Sequence, residues 1–399
     1  MKIRTGNISA IFFLVVALSC KKPFTPVIVT TNNSYLVVEG IINSNDSTYI
    51  KLSRTVTLTS PSSKNPESGA KVMIESDKND QFVLTETIAG TYVTANHNLP
   101  ADRNYRLHIF TSKNKEYVSD YVENKITPAI DSVYTSLLTN GIQFYVSTHD
   151  NSNKTRYYRW EYAETWSYNI NNTLGEAPIS LVVYRNNQIV PRYPDSLIDE
   201  CYRNPVPSNN IFIANSSKLS QDIIYKYPLD YVVASSGKLL QTFSLLVKQY
   251  ALTANAYTYW QLLKTNTEQL GSITDPQPSS SLTNLHAVTN PGETVIGYVS
   301  VSTVTSKRVF FSGRDSQYDL NQLANDTVKC SGGEILTDPA NTFQDRLNKI
   351  LASGDSLLIA PVYSSGINAR IIGYTYSTAI CLDCRLRGGT TTKPPYWPQ

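Results

Sequence analysis

The chain of 399 residues has little that would mark an enzyme. Its four histidines, His97, His108, His149 and His286, show neither H-x-x-x-H nor H-E-x-x-H spacing, so adjacent ligands do not build a metal site. There is no G-x-S-x-G elbow and no P-loop, which removes common signatures of serine hydrolysis and nucleotide binding. Charged residues are only 17%, and 35 basic side chains nearly balance 32 acidic ones. A net charge of +3, part of it from Lys2 and Arg4, excludes the basic footprint of a nucleic-acid binder. Methionine is scarce, with 2 residues. Beyond the start of the chain no long apolar run exists, so no membrane-spanning helix is expected. No internal repeat is visible, and no cofactor is implied.

Tyrosine, by contrast, is abundant: 27 residues against 11 Phe. Tyr with Val, Ile and Thr is the vocabulary of half-buried strands and also of recognition surfaces. A hydrophobic fraction of 41% supports a packed core. The start of the chain is distinct. Lys2 and Arg4 precede an apolar run, Ile11 to Leu18, and then Ser19-Cys20. The run is too short to span a bilayer and reads as a secretory signal over 1–19. Leu-Ser-Cys after such a run resembles the lipobox of bacterial lipoproteins, which makes Cys20 the lipidated N-terminus. Several acyl chains give lasting anchorage, since each buried methylene adds roughly 0.8 kcal/mol. The alternative is an ordinary signal peptide with a free Cys20.

The polar stretch 20–33, with Pro23 and Pro26, reads as a tether. Strands are expected at Tyr35 to Ile42, Thr48 to Arg54, Ala70 to Glu75, Gln81 to Leu84, Thr91 to Thr94, Asn104 to Phe110 and Glu116 to Val122. Seven short strands with turn clusters between them predict an immunoglobulin-like antiparallel β-sandwich over 34–126. Thr127-Pro128 closes it. A larger β-rich domain with one long and one short helix follows over 127–399, so the fold class is mainly β. Its strands include Gly141 to Ser147, Arg156 to Tyr162, Ile211 to Ile213, Gln241 to Lys248, Thr294 to Val301, Lys307 to Phe311, Ser356 to Tyr363 and Ile371 to Ala379. Tyr202 to Pro207 reads as loop. The long helix is expected from Ala254 to Leu270, N-capped by Thr253 and stopped at Gly271, with a Trp260/Leu263 face turned to the second domain's sheet. The short one runs from Phe343 to Ala352, with Gly354 behind it.

Several segments together carry a resemblance. They are Ser34-Tyr-Leu-Val-Val-Glu-Gly40, Tyr158-Arg-Trp-Glu-Tyr162 with Glu164-Thr-Trp166, Lys248-Gln-Tyr-Ala-Leu-Thr253, Tyr259-Trp260, Gly271 to Pro278, Gly297-Tyr298, and Cys381-Leu-Asp-Cys-Arg385 before Gly388-Gly389. The chain resembles the Bacteroidetes lipoprotein family known as domain of unknown function 4249. No activity or catalytic residue comes with that family. Its members are usually encoded beside TonB-dependent outer-membrane receptors, which implies a lipid-anchored outer-membrane protein with a part in nutrient capture.

Cys201, Cys330, Cys381 and Cys384 form an even set, which outside the cytoplasm reads first as disulfides. Cys381 and Cys384 bonded to Cys201 and Cys330, in an order the sequence does not assign, would tie the tail down. A Cys381–Cys384 bond, a zinc site and a redox pair are the alternatives. The tail, Asp383 to Gln399, is otherwise loop-like. Glu161 and Glu164 flank Trp160 and Trp166. Paired acids among aromatics can mark a glycosidase, but on a strand positions 161 and 164 face opposite sides. A core Trp with solvated Glu neighbours is the favoured explanation. Trp160, Trp166, Trp260, Tyr396 and Trp397 remain candidate contact residues for a ligand or partner. The reading that results is a non-enzymatic envelope binding protein. An extracytoplasmic hydrolase and a structural or adhesive surface protein are its rivals.

Overall fold

A computed structural model describes residues 34–56, 60, 65–169, 180–193, 197–268, 282–312, 330–337 and 342–398. The fold is mainly β. The leader, Cys20, the tether and the expected helix stop at Gly271 lie outside the described residues.

The first sheet begins with the antiparallel pair Leu36–Asn43 and Thr48–Arg54. Alternation decides its faces. Thr48, Ile50 and Leu52 point inward, while Tyr49 and Lys51 point out. Gln81–Ile88 joins two ladders: its first half pairs with Lys71–Ser76 and its second with Thr91–Thr94. Inward side chains of both ladders, among them Ile50, Leu52, Ile74, Tyr92, Leu107 and Tyr117, form one core.

That core also takes in residues far along the chain. Leu285–Ala287 pairs with Glu116–Ser119, and Val295–Gly297 and Ser300–Ser302 lie parallel to Leu36–Asn43. The sheet built on 34–126 is therefore completed by strands that the sequence analysis places in the second domain. Gly297 shows why the fit is specific. Its φ is +130°, and a Cβ there would stand 2.2 Å from the Val38 carbonyl oxygen. Glu293 fixes the same return: it accepts from the Tyr117 hydroxyl at 2.6 Å and from Lys115 Nζ at 2.6 Å, and sits 3.4 Å from the buried Arg54 guanidinium.

In the second region, Asp222–Val233, Gly141–Asp150 and Ile130–Leu138 make a three-stranded sheet. A second sheet runs in the order Val304–Ser312, Thr242–Ala251, Tyr157–Asn169, Glu200–Arg203, Gly389–Thr390. Between the two lie Phe144, Val146, Tyr158, Trp160, Phe243 and Leu245. The loop expected at Tyr202 to Pro207 is corrected: Tyr202 pairs with Ser167 and Thr390, Arg203 pairs with Gly389, and Val206–Pro207 bridges to Glu164 and Ala163. The third sheet, Gly332–Leu336, Ile371–Thr378 and Ser356–Tyr363, packs with the hairpin Val182–Arg185/Gln188–Pro191 around Val182, Ile335, Leu347 and Leu358.

The long helix, α1, spans Ala254–Glu268 and the short one, α2, spans Phe343–Leu351. Thr253 caps α1, its Oγ1 accepting from the Ala256 amide at 3.2 Å. Only Ala256 of α1 is fully buried; Trp260 and Leu263 are half-buried. The helix packs beside both sheets, with Tyr259 stacked on Tyr298 at 5.2 Å and Tyr157 against Tyr257 at 5.3 Å.

The late strands generate a test. Residues 34–126 expressed alone leave the Leu36–Asn43 edge and the Arg54 site incomplete, so a broad, non-cooperative thermal trace is expected. Joining 282–303 to that fragment by a flexible linker should restore a cooperative transition. A sharp transition in the short fragment would refute the dependence.

Candidate functional site

The strand Tyr157–Asn169 carries the motif-rich part of the chain and organises the site. Its even-numbered residues face the core. Trp160 is fully buried, stacks on Tyr158 and Tyr227, and donates from Nε1 to Gln249 Oε1 at 2.8 Å. It is core and makes no surface for a ligand. The Tyr158 hydroxyl donates to Asp222 Oδ2 at 2.9 Å. Burial, then the neighbouring Asp222 charge, push that phenol far above its ordinary range.

Further along the same face, the Tyr162 hydroxyl donates to Asp230 Oδ1 at 2.9 Å, and Glu164 pairs with Lys238 Nζ at 2.5 Å. Glu164 is buried, which corrects the expectation of a solvated neighbour to a core Trp. Asp230 is buried too. Burial, followed by the Glu164 carboxylate beside it, raises its carboxyl to about 7. The Lys238 ammonium lies 4.9 Å from the Trp166 ring centre, and Arg203 stands 5.9 Å from it. Trp166 is half-buried under these two cations.

The odd-numbered face is covered by α1 at one end and by the tail at the other. Arg159 lies over Trp260 at 3.8 Å and over Tyr250 at 5.1 Å, and it pairs with Glu161. The Tyr250 hydroxyl donates to Glu161 Oε2 at 2.7 Å. Glu161 and Glu164 thus lie on opposite faces with different partners. At the tail, Tyr396 stacks on the Arg308 guanidinium at 3.6 Å and its hydroxyl is 3.3 Å from Thr165 Oγ1. Trp397 is buried edge-on against Tyr202 and Phe310.

Two disulfides, Cys201–Cys384 and Cys330–Cys381, fix the segment ahead of these rings. The Tyr168 hydroxyl donates to the Cys384 carbonyl at 2.6 Å, and Arg203 donates to the Gly388 carbonyl at 2.7 Å. The isolated histidines have local partners: His108 bridges Glu75 and Glu116, His149 meets Asp131, His286 meets Asp120 and His97 meets Thr94. Among the described residues, no cluster of His, Cys, Asp and Glu is arranged to hold a metal.

Residue-type reasoning missed a second feature. On the outer face of the three-stranded sheet, Tyr134 stacks on Tyr145 at 5.3 Å. Lys226 lies 5.3 Å from both Tyr134 and Tyr225, and Tyr225 is 72% exposed. Tyr231, Ile223, Val233 and Leu138 are exposed elsewhere on the same sheet. A break in register puts Lys226 there with φ +54°, and its amide donates to Ser147 Oγ at 3.0 Å. A lysine in that region is uncommon and costs about 1–3 kcal/mol, a strain that gathers at functional surfaces. The signal in sequence is the interrupted alternation of Tyr225-Lys226-Tyr227-Pro228.

The aromatic residues therefore differ in weight. Trp160→Ala should cost about 3–5 kcal/mol, as for a full core truncation. Trp260→Ala should cost about 1–2 kcal/mol, most of it the Arg159 contact. Urea denaturation of both variants measures this, and equal losses would mean the α1 face is core after all.

No curated protein matches the chain. A family model described as Domain of unknown function (DUF4249) matches residues 21–308. That span contains the first sheet with its returning strands, the Tyr157–Asn169 strand and α1, and it stops within Val304–Ser312. It covers most of the chain, so the protein belongs to the DUF4249 family.

Proposed function

We propose that this protein is a lipid-anchored, non-enzymatic component of the bacterial outer membrane that binds a TonB-dependent receptor and assists nutrient uptake. The observation that carries a binding role is the tyrosine and lysine face of the three-stranded sheet, where Tyr225 stands in solvent beside a strained Lys226 and Tyr231 is exposed further along the same strand. Rigid rings with polar tips give contact area at small entropy cost, which suits recognition. Two disulfides support an oxidising compartment outside the cytoplasm. The Leu-Ser-Cys20 sequence supports the anchor, and the family resemblance supports the receptor as partner.

A second reading, an extracytoplasmic hydrolase of polysaccharide or peptide, draws on the meeting of Glu164 and Asp230. Burial of both carboxyls under Lys238 and Tyr162 argues for a structural use.

The test begins with Cys20→Ser, expected to leave the membrane fraction while the wild type partitions into detergent. In membranes, crosslinking followed by mass spectrometry should join the wild type to the co-encoded receptor. The Tyr225→Ala/Tyr231→Ala pair should lose that crosslink while staying folded and anchored. A variant that crosslinks as the wild type does would exclude this face, and hydrolysis abolished by Glu164→Gln would favour the second reading.

A further inference from the structure

The meeting of Glu164 and Asp230 has a chemistry of its own. Asp230 Oδ1 takes the Tyr162 hydroxyl, but the buried Oδ2 finds no donor. The Glu164 carboxyl lies beside it, on the same face of Tyr157–Asn169 as Tyr162, and is itself an acceptor when ionised. Glu164 in turn holds Lys238 Nζ at 2.5 Å. Two ionised carboxyls in contact would leave one negative charge uncompensated in the interior, and a buried acceptor pair with no hydrogen between them is repulsive. One proton between them removes both defects. The contact becomes a hydrogen bond, and the carboxyl, carboxylate and ammonium together sum to zero.

We propose that Asp230 and Glu164 share one proton and, with Lys238, form a charge-neutral lock joining strand Tyr157–Asn169 to strand Asp222–Val233. The lock is acid-stabilised. The titratable groups that face it are Tyr162 and Glu164 from one strand and Lys238 from the segment after Ala234–Ser236, while Phe144 and the Gln143 amide of Gly141–Asp150 lie alongside. Gln143 Nε2 donates to the Asp230 backbone carbonyl at 2.9 Å. The strand that carries Asp230 inward carries Tyr231 and Lys226 outward, so the lock and the exposed tyrosine face share one strand. It is a property of the fold and stands whether or not that face binds a receptor.

The sign follows from linkage. Folded Asp230 keeps its proton up to about 7, whereas in the unfolded chain it releases the proton near the usual aspartate value, about 4. Between those limits the folded state binds more protons, so stability falls as pH rises. Above the folded value the loss is complete.

Asp230→Asn is the diagnostic variant, because its amide donates permanently to Glu164 as the protonated acid does. Urea denaturation from pH 5 to 9 should show the folded-to-unfolded ratio of the wild type falling relative to Asp230→Asn, by up to about tenfold per pH unit below neutrality. Above neutrality the difference should level off. Parallel curves for the two proteins would overturn the proposal. Should Asp230→Asn fail to fold, infrared spectroscopy of the wild type decides. An un-ionised carboxyl band at pH 6 that disappears by pH 9 is expected, and its absence at pH 6 would overturn the shared proton.

Discussion

A strand with one face in the core and the other partly covered leaves its inward polar side chains nowhere to go except against another polar group, because a buried unpartnered group costs about 1–3 kcal/mol. Tyr157–Asn169 lives under that constraint, and the surrounding structure answers it. Tyr158 requires Asp222, Trp160 requires Gln249, Tyr162 requires Asp230 and Glu164 requires Lys238. On the other face Arg159 and Glu161 satisfy each other and Tyr250, and Thr165 meets Tyr396. The partners come from two other strands, a turn and the tail. Each of those elements is placed by what the strand needs.

The second organising feature is the return of the chain to its beginning. The first sheet is left after residue 126 and re-entered at Leu285, after the chain has laid down most of the two sheets of the second region. Glu293 then closes a polar site around Arg54, whose burial opposes its charge while Glu67 and Tyr117 restore it. Such long-range pairing places the protein among topologies whose contacts form late, after much loop-closure entropy has been lost. Helix α1 reinforces the closure by stacking Tyr259 on Tyr298 of the returning segment.

Much of this was legible where local rules act alone. The alternation in Thr48–Arg54, the strands Thr91–Thr94, Asn104–Phe110 and Ser356–Tyr363, and the Thr253 cap follow directly from period and capping chemistry. Asp222–Val233 did not, because the break at Lys226 and Pro228 interrupts its alternation. The hairpin turn at Asn186-Asn187, with φ of +50° and +60°, gives a turn signal that lies between strands too short to show a period. Glu200–Arg203 owes its ladder to Tyr168 and to Thr390 far along the chain. For the aromatic candidates, residue type could not separate Trp160 in the core from Trp260 at its margin. Only packing does that. Disulfide connectivity is likewise a matter of which strands lie together, and spacing is silent on it.

The first strand also has a mechanical consequence. Leu36–Asn43 is flanked on one side by an antiparallel neighbour, Thr48–Arg54, and on the other by two short parallel ones, Val295–Gly297 and Ser300–Ser302. Tension entering at residue 34 and directed along that strand loads both ladders lengthwise, so their hydrogen bonds share the force instead of parting one by one. A pull across the strand would unzip them singly and yield at lower load. Direction of pull, more than the depth of the core, then governs how much force the N-terminal edge withstands.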